Sequence, residues 1–485
     1  MAAVRTDTVF VDLDGTLTFT DILVEAFLEL IKKNLLYILV LPFWLLRGKA
    51  YMKHQIMQRV SLRVDLLPYN KELLDYLREQ KQQGSKLVLI SASTQSVVEQ
   101  VAEHLALFDA AIGSSVSSNC SGHRKLARIR DYSGDADFIY AGNAQVDLQV
   151  WRQAQGAILV NTSAALKKRA AACTAVVAVF DSKYNAASGI INRSIKAMRP
   201  HQWLKNALLF LPLMLAHQID NTQLLWQAVM AFISFSLCSS SVYVLNDLLD
   251  LSADRQHRSK FRRPFAAGDL SPLIGLLLSA VLLVLAFGIA IVLPVEFLLI
   301  LAVYYLCTCM YSFVLKKIEL VDVITLATLY TLRIIAGAAA VSVIPSFWLL
   351  AFSMFLFMSL AIVKRYTELS YLRESGITHS AGRGYVAKDL DMLAIFGCTS
   401  ALMSVMVFAL YINSEDILQQ YSTPEILWFI CPLLLYLVSR IWLLAFRGEI
   451  EEDPIIFALT DGISQAVTVV CITLLWMATL NWNLF

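Results

Sequence analysis

The sequence predicts two fold classes in one chain: an α/β Rossmann-like domain at the N-terminus, then an all-α polytopic membrane domain of about nine transmembrane helices. Three observations carry this. Over residues 1–185 short apolar runs alternate with amphipathic helical patterns, which is how a parallel open sheet reads. From Trp203 onward long apolar runs follow one another, each near the ~20 residues a bilayer-spanning helix needs. Composition agrees: 58% of the 485 residues are hydrophobic and 16% charged, where a soluble chain carries roughly a quarter charged.

In the first part, Val9–Leu13, Lys86–Ile90, Phe138–Ala141 and Ala157–Val160 read as buried parallel strands, with helices over Asn70–Gln83 and Gln95–Leu105. Sites in such sheets lie at the carboxyl ends of the strands. The segment 35–46, LLYILVLPFWLL, suits a soluble domain poorly. It is too short to cross about 30 Å of hydrocarbon, which leaves a buried helix pair or a piece lying in the membrane interface. Asp181 to Met198 contains NAASG and reads as a short flexible connection, with 186–198 the linker proper and 199–485 the membrane domain.

The long runs are approximately 203–219, 224–244, 272–293, 296–315, 320–342, 346–363, 392–412, 425–446 and 460–480. Alternate loops are basic: Arg255, Arg258, Lys260, Arg262 and Arg263, then Lys316 and Lys317, then Lys364, Arg365, Arg373, Arg383 and Lys388, then Arg447. The opposite loops, 216–223, 294–295, 343–345 and 413–424, contain no Lys or Arg. The positive-inside rule makes the basic side cytoplasmic. The start, MAAVRTDTVFVDLD, lacks the apolar stretch of a signal peptide, so the N-terminal domain is expected on that same side of a bacterial inner membrane. Nine crossings then leave the C-terminus outside. A net charge of +2 and the lack of a basic tail argue against nucleic acid as a partner. The eight cysteines form no CxxC pair and read as small buried apolar residues, not as a zinc site or disulfide frame. Oligomeric state is not legible.

The strongest membrane signal is SVYVLNDLLDLSADRQHRSKFRRP, Ser241 to Pro264. Asp247, Asp250 and Asp254 are spaced i, i+3, i+7 and fall on one helix face, with Asn246 beside them. Carboxylates converging near lipid repel one another and are expensive. They are tolerable if they hold Mg²⁺, which takes one or two carboxylates plus phosphate oxygens. This NDxxDxxxD pattern resembles the UbiA superfamily of intramembrane transferases, over nearly all of residues 195–485. Arg199-Pro200 with Lys205, Arg262-Arg263-Pro264 with Gly268, and Tyr311 with Lys316 and Asp322 fit the same resemblance. It implies a Mg²⁺ chelated by the aspartate helix on a substrate diphosphate.

One departure is informative. Where most UbiA prenyltransferases carry a second DxxxD, this chain reads AIVKRYTELSYLRESG, with Lys364 and Glu368 at i, i+4. A second metal site is weakened and a phosphate-binding cation gained; the plainer alternative is a surface Lys–Glu pair. With RPHQWLKN, YSFVLKKIELVD, LRIIAG and EDPIIFALTD, the chain is similar to the decaprenyl-phosphate phosphoribosyltransferase branch. That branch transfers 5-phosphoribose from phosphoribosyl pyrophosphate (PRPP) to a polyprenyl phosphate. The resemblance assigns Asn246, Asp247, Asp250 and Asp254 to Mg²⁺-pyrophosphate, and Lys205, Arg262, Lys316, Lys364 and Arg365 to phosphates, with Tyr311, Asp322 and Glu368 beside them. Arg333 lies inside an apolar run and is either functional or the partner of a carboxylate. Asp453 and Asp461 begin the last helix, either near the site or in a charged loop.

The N-terminal stretch VFVDLDGTL resembles the haloacid dehalogenase (HAD) superfamily over roughly residues 5–160. The resemblance implies Asp12 as nucleophile and Asp14, two residues on, as general acid/base. Ser91 in LVLISAS and Lys125 in SGHRKLARI supply the second and third motifs. The fourth is YAGNAQVDLQVW, where Asn143 stands for the usual acid and Asp147 remains, so a Mg²⁺ site is implied from Asp12, Asp14, Asn143 and Asp147. Residues 18–80 would form a helical cap. Together the halves imply a bifunctional membrane enzyme in which phosphoribosyl transfer is followed by removal of the 5-phosphate, giving polyprenyl-phosphoryl-ribose for envelope polysaccharide. The alternatives are a UbiA-type prenyltransferase using a polyprenyl diphosphate, and a transferase with a non-catalytic regulatory HAD module.

Overall fold

The computed structural model describes residues 8–115, 118–181, 187–374, 376, 383–415, 417, 421–450 and 453–480. Two compact units emerge: Met1–Met198 with Tyr243–Ser279, and Arg199–Val242 with Ala280–Phe485.

The first unit is built on a six-stranded parallel sheet of order β3-β2-β1-β4-β5-β6. The strands are β1 (Thr8–Val11), β2 (Lys86–Thr94), β3 (Ala110–Ser114), β4 (Ile139–Gly142), β5 (Gly156–Val160) and β6 (Ala175–Phe180). Four coincide with the expected runs. The sequence reading missed β3, whose AAIGS lacks a β-branched apolar run, and β6, an edge strand with Val176, Val177 and Val179 exposed. Strand alternation sorts β1 between two helix layers. Val9 and Val11 face Leu73, Leu77, Val98 and Val101, from α4 (Lys71–Gln82) and α5 (Gln95–Leu105). Phe10 faces Ile129, Phe138, Tyr140 and Trp151, with α6 (His123–Ser133) and α7 (Leu148–Trp151) on that side. A further helix, α8 (Ala164–Ala171), leads to β6. The order reverses at β1 and β4, which is where α/β sheets open a crevice.

Between β1 and α4 lie three helices, α1 (Ile22–Lys33), α2 (Tyr37–Leu46) and α3 (Lys49–Met57). Asp21 caps α1 by accepting from the Leu23 and Val24 amides, and Asn70 caps α4 by accepting from Leu73. Residues 187–198, expected as flexible linker, form helix α9 (Ala187–Met198) instead. Ala197 of α9 is buried with Leu28, Val244, Leu248 and Phe265, and this apolar face is what orders the segment. Of the two alternatives for 35–46, the buried helix pair is met on one side only: α2 exposes Leu36, Leu39, Phe43 and Leu46.

Eight helices among the described residues are long and apolar enough to cross a membrane: Thr222–Leu249, Pro272–Ala290, Val295–Phe313, Val321–Ala340, Phe347–Glu374, Ala387–Ile412, Pro424–Phe446 and Gly462–Thr479. The first of the nine expected runs, 203–219, is not among them. Pro200–Phe210 winds as a 3-10 helix and Leu211–Leu215 as a short α-helix. Pro212 stands in the first turn of the short helix, where its missing amide costs nothing, and it withholds the donor that an α-helix continuing from residue 208 would need, which favours a break there. Odd parity, and with it a C-terminus opposite the N-terminal domain, therefore requires this broken segment to complete a crossing. In the second unit Val321–Ala340 is a central helix, its apolar window 61% buried like that of Thr222–Leu249, while that of Gly462–Thr479 is 11% buried. Gly337 lets the 3-10 segment touch the central helix, since a Cβ there would lie 2.1 Å from the Leu209 carbonyl.

Candidate active sites

In the first unit, β1 delivers Asp12 at its carboxyl end. Asp12 Oδ1 lies 2.9 Å from Lys125 Nζ. Lys125 also donates to the Tyr140 hydroxyl at 2.9 Å, which donates to Asp147 Oδ1 at 2.9 Å. Burial pushes the Asp12 carboxyl up to about 7, while Lys125 pulls against it. Burial disfavours the Lys125 ammonium, yet Asp12 and Asp147 outweigh that and hold it above its ordinary value. Asp14 is held on both oxygens: Oδ1 accepts from the Ile22 amide at 2.9 Å, and Oδ2 from Ser91 Oγ at 3.1 Å and Ser93 Oγ at 3.0 Å. All four expected catalytic residues thus come together, and Ser93 joins them.

Gly15 makes the turn at φ +71°, and a Cβ there would lie 2.1 Å from Asn143 Nδ2. A side chain at this left-handed position would strain the backbone and push the Asn143 side chain of the β4 loop aside. Asp147 is committed to the protein: Oδ2 accepts from the Asn143 and Ala144 amides, at 3.1 and 2.9 Å. A Mg²⁺ here would draw on Asp12 and Asn143 more than on Asp147.

A cavity of about 550 Å³ covers Asp12 and Asp14. Beside Lys125, two further cations line it, Lys53 of α3 and Arg193 of α9. Lys53 donates to the Ala92 carbonyl at 2.8 Å and to Asn119 Oδ1 at 3.2 Å. Burial lowers its ammonium against the pull of Asp14 and Asp21. Arg193 donates to the Asp269 carbonyl at 3.0 Å. Another wall is Gly268 to Ser271 with Ile274. Sequence reasoning missed Lys53, Arg193 and this wall, because nothing local marks residues so distant along the chain as neighbours.

The aspartate motif also lies in the first unit. Its geometry corrects the one-face expectation. The long helix stops at Leu249, Asp250 takes φ −104° and ψ 17°, and a new helix runs Leu251–Gln256. Asp247 and Asp254 still converge, at 3.0 and 2.6 Å from the same Arg263 Nη1. Asp250 turns elsewhere and lies 3.3 Å from Lys32. Burial pushes Asp254 up, with Arg263 drawing it down and Asp247 adding to the rise. Asn246 Oδ1 is buried without a hydrogen-bond partner. Two carboxylates around one cationic atom, next in sequence to a residue whose amide oxygen is orphaned, form a donor set that suits Mg²⁺. No three His, Cys, Asp or Glu side chains among the described residues make a ready cluster, so a metal there would complete its shell with substrate oxygens. The sequence favoured Arg262, but Arg262 is exposed and stacks on Phe261; its neighbour Arg263 meets the carboxylates.

The second unit gathers most of the remaining candidates into three groups and leaves Asp461 and Lys316 outside them. Lys205 and Lys364 share one oxygen of Asp453, at 2.7 and 2.8 Å. Burial alone would raise Asp453, yet Lys364 and Lys205 hold it well below the usual carboxylate range. In the second group Arg365 binds Asp322, donates to Glu368 Oε2 at 2.7 Å and to the Tyr311 hydroxyl at 3.0 Å, and Tyr311 donates to Asp322 at 2.8 Å. Arg383, which the sequence marked only as a loop charge, pairs with Glu368 at 3.5 Å. Lys364 and Glu368 therefore do not pair as a surface couple; each has its own partner. In the third group Arg333 donates to Asn206 Oδ1 at 2.9 Å and to the Tyr304 hydroxyl at 3.0 Å, and lies over the Tyr330 ring at 4.9 Å. Asp461 is set apart: it caps Gly462–Thr479 and binds Arg440 at 2.6 Å. Lys316 lies in the turn Leu315–Lys317.

Arg365 and Asp322 are 1% and 0% exposed. Removing one charge strands the other in a buried setting, which costs about 3–5 kcal/mol. Asp322→Asn is therefore expected to lower the thermal midpoint of detergent-solubilised protein sharply, and an unchanged melt would mean Arg365 is not held by that carboxylate.

Residues 207–453 match the UbiA prenyltransferase family, and residues 9–152 match the haloacid dehalogenase-like hydrolases. The uncharacterized protein y4nM of Sinorhizobium fredii is 34% identical over 456 residues, 93% of this chain and 87% of its own length. Nodulation protein NoeC of Azorhizobium caulinodans is 35% identical over 271 residues, 56% of this chain and 87% of its own. Decaprenyl-phosphate phosphoribosyltransferase of Mycobacterium tuberculosis is 28% identical over 293 residues, 59% of this chain and 92% of its own. With eight candidate spans behind a parallel-sheet HAD-like domain, this is a multi-pass membrane protein, and it belongs to the UbiA prenyltransferase family.

Proposed function

We propose that the chain is a bifunctional enzyme: Mg²⁺-dependent transfer of 5-phosphoribose from PRPP to polyprenyl phosphate, then removal of the 5-phosphate by the HAD-like domain. The observation that carries it is the Lys205–Asp453–Lys364 arrangement. A lysine stands where a prenyltransferase would place a second metal-binding carboxylate, and with Lys205 it offers two cations to a phosphate. The mycobacterial relative, named for this transfer, supports the same reading. A relative aligned over 93% of the chain supports treating the two halves as one working unit.

In the transfer, an oxygen of the lipid phosphate bonds to C1 of the ribose as the C1–pyrophosphate bond breaks. The attacking phosphate is already anionic and needs no strong base. Asn246, Asp247 and Asp254 would hold a Mg²⁺, which when bound would supply positive charge against the departing pyrophosphate. Lys205 and Lys364 bind phosphate oxygens, while Arg365, buried against Asp322, Glu368 and Tyr311, anchors the helix that carries Lys364. In the second reaction an oxygen of Asp12 attacks phosphorus, and the ribose O5 leaves with a proton from Asp14. Water then cleaves the aspartyl-phosphate, returning a proton to Asp14 and releasing phosphate. Lys125 neutralises the phosphoryl group, while Lys53 and Arg193 suit a substrate with a second anionic group, here the phosphodiester. The basic loops and both sites lie on the cytoplasmic face of an inner membrane. Removal of the 5-phosphate makes the transfer hard to reverse.

The test supplies full-length protein with Mg²⁺, PRPP and a polyprenyl phosphate and follows the lipid by mass spectrometry. Phosphoryl-ribose lipid is expected; consumption of a prenyl diphosphate with an acceptor, and no ribosyl lipid, overturns the reading. Gly15→Ala should slow the second step alone, about a hundredfold from displacement near the reacting atoms, seen as accumulation of the 5-phosphorylated lipid. One observation favours a second reading, a regulatory HAD module: Asn143 replaces the usual acid and both oxygens of Asp147 are occupied. Under it, Gly15→Ala changes transfer rather than the phosphorylation state of the product.

A further inference from the structure

Helix α2 reads YILVLPFWLL, without a polar residue. Its inner face is used: Trp44 is buried with Ala26, Leu30, Ile56 and Val60, and Tyr37 and Leu41 pack against them. Its outer side is equally apolar and bare. Leu36, Leu39, Phe43 and Leu46 are 65%, 67%, 68% and 85% exposed, and their 3-4-3 spacing makes one stripe. Helix α4 of the same domain shows the ordinary arrangement, with Leu73, Leu74 and Leu77 turned inward and charged residues outward.

Three contacts locate this stripe. Along α1, Glu25 binds Arg255 at 2.6 Å, Glu29 accepts from Ser252 at 3.0 Å, and Lys32 lies 3.3 Å from Asp250. As α1 advances toward α2, its partners step back toward Leu249, the last residue of the long apolar helix Thr222–Leu249. The end of α1 that feeds α2 is thus the end nearest the exit of a membrane span. Exposed cations flank the apolar stretch, Lys33 before it and Arg47 and Lys49 after it.

We propose that α2, with Leu35 and Leu36, lies in the interfacial layer of the bilayer, its bare stripe among the acyl chains and Lys33, Arg47 and Lys49 among anionic headgroups. Ten residues of helix extend about 15 Å, half of what crossing requires, so the helix lies in the surface. The cap supplies the side that a free interfacial helix would turn to water. This holds the cap at headgroup level, where Leu23 of α1 and Lys53 of α3 line the cavity over Asp12. The proposal rests on the membrane spans and not on the phosphoribose reading.

The test places a photo-crosslinking residue at Leu39 or at Phe43 of the full-length protein, with Arg78 on α4 as reference, in nanodiscs of phosphatidylethanolamine and phosphatidylglycerol. Both test positions are exposed, so neither change removes a core contact. Lipid adducts at 39 and 43, with only background at 78, are expected. Chain-to-chain adducts would assign the stripe to a second copy, adducts to another protein would assign it to a partner, and yields equal to position 78 would leave it in water; each overturns the proposal.

Discussion

Asp12→Asn stops the reaction sequence at the 5-phosphorylated lipid, with dephosphorylation down roughly a thousandfold or more, the scale of losing a covalent nucleophile. The substitution is nearly isosteric. Its amide oxygen can still accept from Lys125, and the Tyr140 and Asp147 contacts of that lysine network remain. What is lost is the carboxylate oxygen that bonds to phosphorus. Pyrophosphate release should continue at the wild-type rate, so the two readouts separate. Asp14→Asn should slow the same step by about 10²–10⁴-fold without abolishing it, because attack remains possible and only proton transfer fails. A variant with Asn at position 12 that still delivers dephosphorylated lipid would show that Asp12 is not the nucleophile.

Asp247→Asn or Asp254→Asn should depress transfer by about 10²–10³-fold, as when a charge-stabilising group is taken from a reacting centre. The measurement is pyrophosphate release at saturating PRPP, with Mg²⁺ titrated to detect weakened metal affinity. Asp250→Asn should do distinctly less, because Asp250 lies against Lys32 while the other two converge on Arg263. Thermal stability should change little, since Arg263 is 26% exposed and can recover water. Equal damage from all three, or none from any, would dissociate this motif from the pyrophosphate.

Motif chemistry was legible where the local backbone fixes it. Asp12 and Asp14 straddle one residue at a strand end, so their meeting with Ser91 and Lys125 follows from parallel-sheet topology. The aspartate trio was half legible. A 100° rotation per residue predicts one face, but the helix breaks at Asp250, and that break separates Asp250 from its neighbours. Choosing between Arg262 and Arg263 needed the 3-10 turn Lys260–Arg262 that aims them apart. Pro212 was visible, yet the apolar run around it outweighed it in the count of spans. Lys53, Arg193 and Arg383 carried no periodic signal, since they reach their partners across long stretches of chain.

The tie between Glu25 and Arg255 bears on how such a protein can be cut or recombined. A fragment ending at residue 198 contains every HAD motif but omits the guanidinium that neutralises Glu25, a carboxylate only 5% exposed. It also bares Leu28 and Ala197, which are buried with Val244, Leu248 and Phe265, and opens the cavity where Gly268 to Ser271 stood. Severed there, the N-terminal piece is a domain by sequence and an incomplete body by contact. Grafting it onto another transferase would require carrying residues 243–279 along, so the portable module is discontinuous in sequence.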